Sequence, residues 1–130
     1  MASSFFSDIV SPLFNPDAVL DISAPPSEED AGKVLVISDL HMGSGKRDDF
    51  NLNGEIVRNI LEEYYHKNGW YLVLNGDIEE LAKFPLADIR AKWAEMYRVF
   101  DLFASAGRLY KILGNHDEDL IFEKDYPYPL

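Results

Sequence analysis

No cysteine occurs among the 130 residues of the chain, and that absence removes several chemistries at once. A disulfide framework, a thiolate zinc site and a cysteine nucleophile are excluded, so any bound metal must be held by Asp, Glu, Asn or His. Histidine itself is scarce, with 3 copies. Long apolar runs are missing as well. The longest, Val34 to Ile37 and Trp70 to Leu74, fall far short of the roughly 20 residues a membrane-spanning helix needs, so no membrane span is expected. Positive charge is in deficit: 12 Lys and Arg face 23 Asp and Glu, for a net charge of −11. Only Lys46 and Arg47 are adjacent, so the basic residues form no nucleic-acid-binding patch and the surface repels a phosphate backbone. The N-terminus has no basic n-region, and Asp8, Pro12 and Pro16 break its apolar content, so it does not read as a secretory signal and a cytoplasmic location is expected.

What is present is the material of a packed soluble domain, 47% hydrophobic and 27% charged, at a length natural for one domain. Residues 1–32 read as an extension and linker. Phe5, Phe6, Ile9, Val10, Leu13 and Phe14 are spaced like a helical stripe that Pro12 and Pro16 interrupt, and SAPPSEEDAG, Ser23 to Gly32, is linker-like. Residues 33–130 then form the main domain. Part of the acidic excess could be local, since two divalent cations would offset four negative charges.

Within the domain, Val34 to Ser38, Tyr71 to Leu74 and Leu109 to Leu113 are apolar runs of strand length. Two amphipathic helices lie between them. The first has its stripe at Leu52, Ile56, Val57, Ile60, Leu61, Tyr64 and Tyr65 and ends at Asn68-Gly69. The second buries Ile89, Trp93, Met96, Tyr97, Phe100 and Phe103, with Pro85 just ahead of it and Gly107 at its end. This βαβαβ order predicts an α/β fold built on a parallel sheet through right-handed crossovers, with ligands bound outside the carboxyl ends of the strands.

The residues at those ends are Asp39-Leu40-His41, Gly76-Asp77 and Gly114-Asn115-His116-Asp117, with Asp39, Asp77 and Asn115 evenly spaced. Alternation along a strand would point Asp39 and His41 to one face. Each group alone has an ordinary reading. Asp-x-His is a common coincidence, Gly-Asp favours a turn, and Asp117 could cap a short helix through Leu120, Ile121 and Phe122. Those readings leave unexplained why three clusters of carboxylate, amide and imidazole each follow a strand.

In ISDLH, LNGDIEE and GNHDE, over about residues 33–122, the sequence resembles the calcineurin-like metallophosphoesterases. That resemblance implies a two-sheet sandwich flanked by helices, with the βαβαβ half encoded here and the second half absent. It implies that Asp39 and His41 hold one cation, Asp77 bridges two, and Asn115 binds the second through its amide oxygen. His116 would be a catalytic group facing the phosphate. Glu80, three residues after Asp77, would steady it in place of the more familiar aspartate. The cofactors would be two divalent ions, Mn, Fe, Zn or Mg, and the substrate a phosphomonoester or phosphodiester attacked by a metal-bridging hydroxide.

Relatives complete both metal sites with a later histidine and a Gly-His-x-His group that follow no motif here, so an N-terminal fragment is expected. The C-terminal half would be missing, and an uncovered sheet could then promote self-association. His66, in the last turn of the first helix, reads as a partner of the helix dipole and not as a ligand. The alternative function is a non-catalytic phosphoesterase-like fragment or protein-interaction module. Gly43-Ser44-Gly45-Lys46 is no phosphate loop, because Leu40 and Arg47 stand where that motif needs glycine and a hydroxyl residue. Asp117, Glu118 and Asp119 lack the calcium-loop alternation and read as a helix start.

Overall fold

The computed structural model describes residues 33–46 and 49–130. The N-terminal stripe, the linker and Arg47 lie outside the described residues. Strands β1 (Val34–Ile37), β2 (Tyr71–Asn75) and β3 (Leu109–Ile112) form one parallel sheet in the order β1-β2-β3. The fold is α/β, with the predicted strand and helix order. Three helices fill the crossovers. They are α1 (Gly54–Ile60), which runs on into a wider π-helical turn at Leu61–His66, then α2 (Leu86–Lys92) and α3 (Ala94–Ser105). Short 3-10 turns lie at Asp49–Leu52 and Glu118–Phe122. Among the described residues no helix is long and apolar enough to cross a membrane.

The branched and aromatic content of the strand runs suits a pleated, buried surface. Alternation sorts their side chains: Leu35, Ile37, Leu72, Leu74 and Leu109 join the core, whereas Val36 on the opposite face is 47% exposed. The helices of the two crossovers meet each other. Arg98 of α3 forks onto Glu62 at 2.9 and 2.6 Å, and His66 meets Phe103 edge-on at 5.2 Å. Two right-handed crossovers that step the same way along a sheet place their helices together in this manner. Phe100, Phe103, Val99 and Ile89 are fully buried beneath that layer.

Two helix expectations change. The first stripe divides: Leu61 is buried and Val57 and Tyr65 pack on the core, but Leu52, Ile56, Ile60 and Tyr64 are exposed, Leu52 by 87%. A stripe that wide cannot all face one sheet, and the π turn, with more residues per revolution, resets the register so that Leu61 and Tyr65 stay inward. The second helix breaks at Trp93, whose backbone leaves helical values (φ −101°, ψ 26°). Its indole Nε1 donates to the Gly43 carbonyl at 2.7 Å and its ring lies 5.0 Å from Phe50, so tertiary contacts outweigh helix continuity there. The strands are also shifted at their ends, β1 and β3 stopping one residue before Ser38 and Leu113 and β2 running on to Asn75.

Trp93 sits against Gly54, where an added Cβ would lie 2.4 Å from its Cζ3. Gly54→Ala is therefore expected to destabilise the chain despite better helix propensity, because overpacking costs about 1–3 kcal/mol against at most ~1 kcal/mol gained. Urea unfolding checks this; a midpoint equal to or above that of the parent chain would contradict the clash.

Candidate metal centre

The parallel register carries past the strands into the loops. Asp39 N–H donates to the Gly76 carbonyl (3.1 Å), His41 N–H to Asp77 (3.0 Å) and Met42 N–H to Ile78 (2.8 Å), while Glu80 N–H returns to Met42 (2.9 Å). Gly76 N–H reaches Ile112 (2.8 Å) and Leu81 N–H reaches His116 (3.0 Å), tying in the third loop. The three strand ends are thus laced together by main chain before any side chain is considered.

Convergence of Asp39 and His41 does not come from strand alternation, as the sequence reading had it, because β1 ends at Ile37. Both residues take left-handed backbone, φ 55° and 47°, and so does Asp77, φ 53°. Asp and His tolerate this region better than most residues, yet such a conformation costs of order 1–3 kcal/mol each and persists where surrounding structure imposes it. These are the only non-glycine residues with positive φ among the described residues, and all are predicted ligands. Bending the chain there gathers one donor atom from each of Asp39, His41 and Asp77 to within 4.8 Å of one another.

Glu80 organises the imidazoles. Its carboxylate is buried and meets His41 Nδ1 at 2.9 Å and His116 Nδ1 at 2.8 Å. The two rings stand edge-on with centroids 4.7 Å apart. An ionised carboxylate only accepts, so both imidazoles donate from Nδ1. In the neutral ring the lone pair of His41 then lies on Nε2, the atom 3.7 Å from Asp39 Oδ1, which is the orientation a metal-binding histidine takes when a carboxylate holds its other nitrogen. Burial works against ionisation of Glu80, but the bonds from His116 and His41 hold its carboxyl below the usual range. The same bond to Glu80 raises His116 above the ordinary histidine value. The sequence reading tied Glu80 to His116 alone; its link to His41 is a tertiary contact that no local signal announces.

Asp77 Oδ1 accepts the His116 N–H at 2.8 Å, which leaves Oδ2 available. Gly114 backs this carboxylate so closely that a Cβ there would lie 2.2 Å from Asp77 Oδ1. Asn115 is exposed between Gly114 and His116, both in contact with Asp77. The gathered carboxylates and imidazole of Asp39, Asp77 and His41 are of a chemistry that suits a divalent cation. His66 is elsewhere, its Nε2 3.2 Å from the Leu102 carbonyl and its ring edge-on to Phe103. Lys46 is exposed.

Asp117 does not cap the 3-10 turn that follows it. Its carboxylate is buried and bonds to Lys111 Nζ (2.6 Å), Gly114 N–H (2.6 Å) and Ile78 N–H (2.9 Å). Burial alone would raise its carboxyl, and the Lys111 charge together with these bonds keeps it below the usual range. Lys111 also reaches Glu79 at 2.7 Å, and Glu79 accepts from the hydroxyls of Tyr97 (2.9 Å) and Tyr126 (2.8 Å). Burial, with Glu79 beside them, pushes both phenols upward, so they remain donors. The sequence reading missed Lys111 and Glu79; a lysine between Tyr110 and Ile112 in an apolar strand was the available sign.

Such an arrangement defines a class, an α/β protein with carboxylate and imidazole donors gathered at the carboxyl ends of parallel strands. The family model for calcineurin-like phosphoesterases matches residues 32–130, and the chain belongs to that family. No curated protein and no solved structure gives a significant match.

In the metal-free chain, the His116 imidazole is expected to titrate above the ordinary histidine midpoint of about 6.5. What the Glu80 tie contributes is fully present below that range and is lost as pH rises through the raised value. An NMR titration of the imidazole resonances checks the shift, and Glu80→Gln should bring the midpoint back toward ~6.5. A midpoint that Glu80→Gln leaves in place would show that the tie is not its cause.

Proposed function

We propose that residues 33–130 carry donors of a binuclear, metal-dependent phosphoesterase site that hydrolyses a phosphomonoester or phosphodiester, with residues 1–32 an extension. The observation that carries the reading is the gathering of Asp39, His41 and Asp77 donor atoms within 4.8 Å, each on left-handed backbone. Family membership supports phosphoester chemistry and divalent metals in general. In this reading Asp39 and His41 would hold one cation, Asn115 a second, and Asp77 would serve both. Mn, Fe, Zn or Mg all suit such donors. Bound cations supply Lewis-acid polarisation of the phosphoryl group and acidify a water nucleophile.

The chain's own residues do the rest. Glu80 holds both imidazoles through Nδ1 and favours the protonated form of His116, so His116 can donate where charge develops on the leaving oxygen. The Asp77 carboxylate is held by His116 N–H and the close approach of Gly114, which limits its drift when a cation is absent.

Replacement of Asp77 by Asn keeps the side-chain shape while removing the charge between the cations. Calorimetric titration with Mn2+ is expected to show affinity weaker by at least the ~10–100-fold typical even of second-layer changes. Hydrolysis of bis(p-nitrophenyl) phosphate with added Mn2+ should be lost in parallel. Full retention of metal and turnover in Asp77→Asn would remove that residue from the site. One Mn2+ per parent chain without turnover would favour the non-catalytic module.

A further inference from the structure

Beneath the donor residues lies a charged cluster that the chemistry above does not use. Lys111 enters from β3 with a side chain wholly closed to solvent, and the side chains of Glu79 and Asp117 on either side of its ammonium are equally closed. Two carboxylates share one cation here. Withdrawing such groups from water is costly, and a well-packed apolar residue in place of a buried ion pair is often as stable or more so, so stability alone is a poor account of Lys111. Geometry offers a better one. Asp117 spends one oxygen on Gly114 N–H (2.6 Å) and shares the other between Lys111 and Ile78 N–H (2.9 Å). Ile78 follows Asp77 and Gly114 precedes Asn115, so the two amides gripped by Asp117 belong to the two turns that present those donors. Glu79, the second acid on Lys111, stands two residues beyond Asp77, and its residue pairs with Met42 just past His41.

We propose that Lys111 is a positioning residue: its ammonium holds Asp117 and Glu79 in place, and through them fixes the 77–79 and 114–117 turns at the separation the metal donors require. The first half of that statement concerns the turns themselves; the second rests on the phosphoesterase reading. A lysine suits the task because its ammonium is a compact charge on a long stem, able to reach both carboxylates from a strand whose neighbouring position on β2 is Leu74.

The test uses the full chain, free of metal and labelled with 15N, and compares amide hydrogen exchange in the parent, Lys111→Met and Asp117→Asn. Exchange at Gly114, Ile78 and His116 is expected to quicken at least tenfold more than at Leu72 and Leu74, whose amides in the central strand report opening of the whole domain. Mn2+ affinity, read by calorimetry on the same proteins, should fall at least tenfold in Lys111→Met. Equal acceleration in β2 and in both turns would reduce Lys111 to a general stabiliser and overturn the proposal. Local loosening with unchanged Mn2+ affinity would overturn it too. Local loosening in the variants, with a parent chain that takes up no Mn2+, would support the hold on the turns while sinking the metal reading. If Lys111→Met does not fold, Asp117→Asn decides: unaltered protection of Gly114 and Ile78 there would overturn the proposal.

Discussion

Everything at the candidate site depends on the parallel register that sets Ile37 beside Leu74 and Leu74 beside Lys111. Three strands that end level deliver their loops to one place, and the main-chain bonds beyond the strands keep those loops from splaying. Parallel strands need long crossovers, and the helices that provide them also cover the sheet face from which Leu72 and Leu74 project. The apolar core and the polar site are therefore two results of one topology.

Strain and compensation sit together at this edge. Asp39, His41 and Asp77 occupy backbone that a side chain normally avoids, and the local cost is met by bonds that over-determine each position. Glu80 binds two imidazoles, Asp117 binds two amides and an ammonium, and Asp77 receives an amide and the back of a glycine. No buried polar side-chain atom among the described residues is left without a partner. A polar cluster satisfied to that degree is rigid, whereas a half-satisfied one would be worse than an apolar core.

The two layers of carboxylates differ in purpose. Asp39 and Asp77 lie in the loops past the strand ends, with the Asp39 side chain two-thirds exposed. Glu79, Glu80 and Asp117 are buried and face inward to lysine, tyrosine, histidine and backbone amides. A chain with a net charge of −11 thus places several of its acids where partners consume their charge rather than on a repelling surface.

Strand order, α/β class and the clusters after each strand were legible in the sequence because they rest on short-range patterns: apolar runs of strand length, stripes at helical spacing, and Asp, His and Asn following each run. Helix boundaries were legible less well. Trp93 breaks a continuous stripe because its indole reaches a carbonyl far along the chain, and the stripe of α1 divides because the sheet can cover only one side of it. Residue identity by itself determined that any metal would meet no cysteine thiolate. Only the tertiary structure decided that Glu80 orients both histidines, that left-handed turns rather than strand pleating bring Asp39 and His41 together, and that Lys111 lies shut between two acids. The first and last of those facts join residues more than five positions apart through hydrogen bonds and ion pairs, and the left-handed turns are imposed by the main-chain bonds between loops, none of which a local pattern encodes.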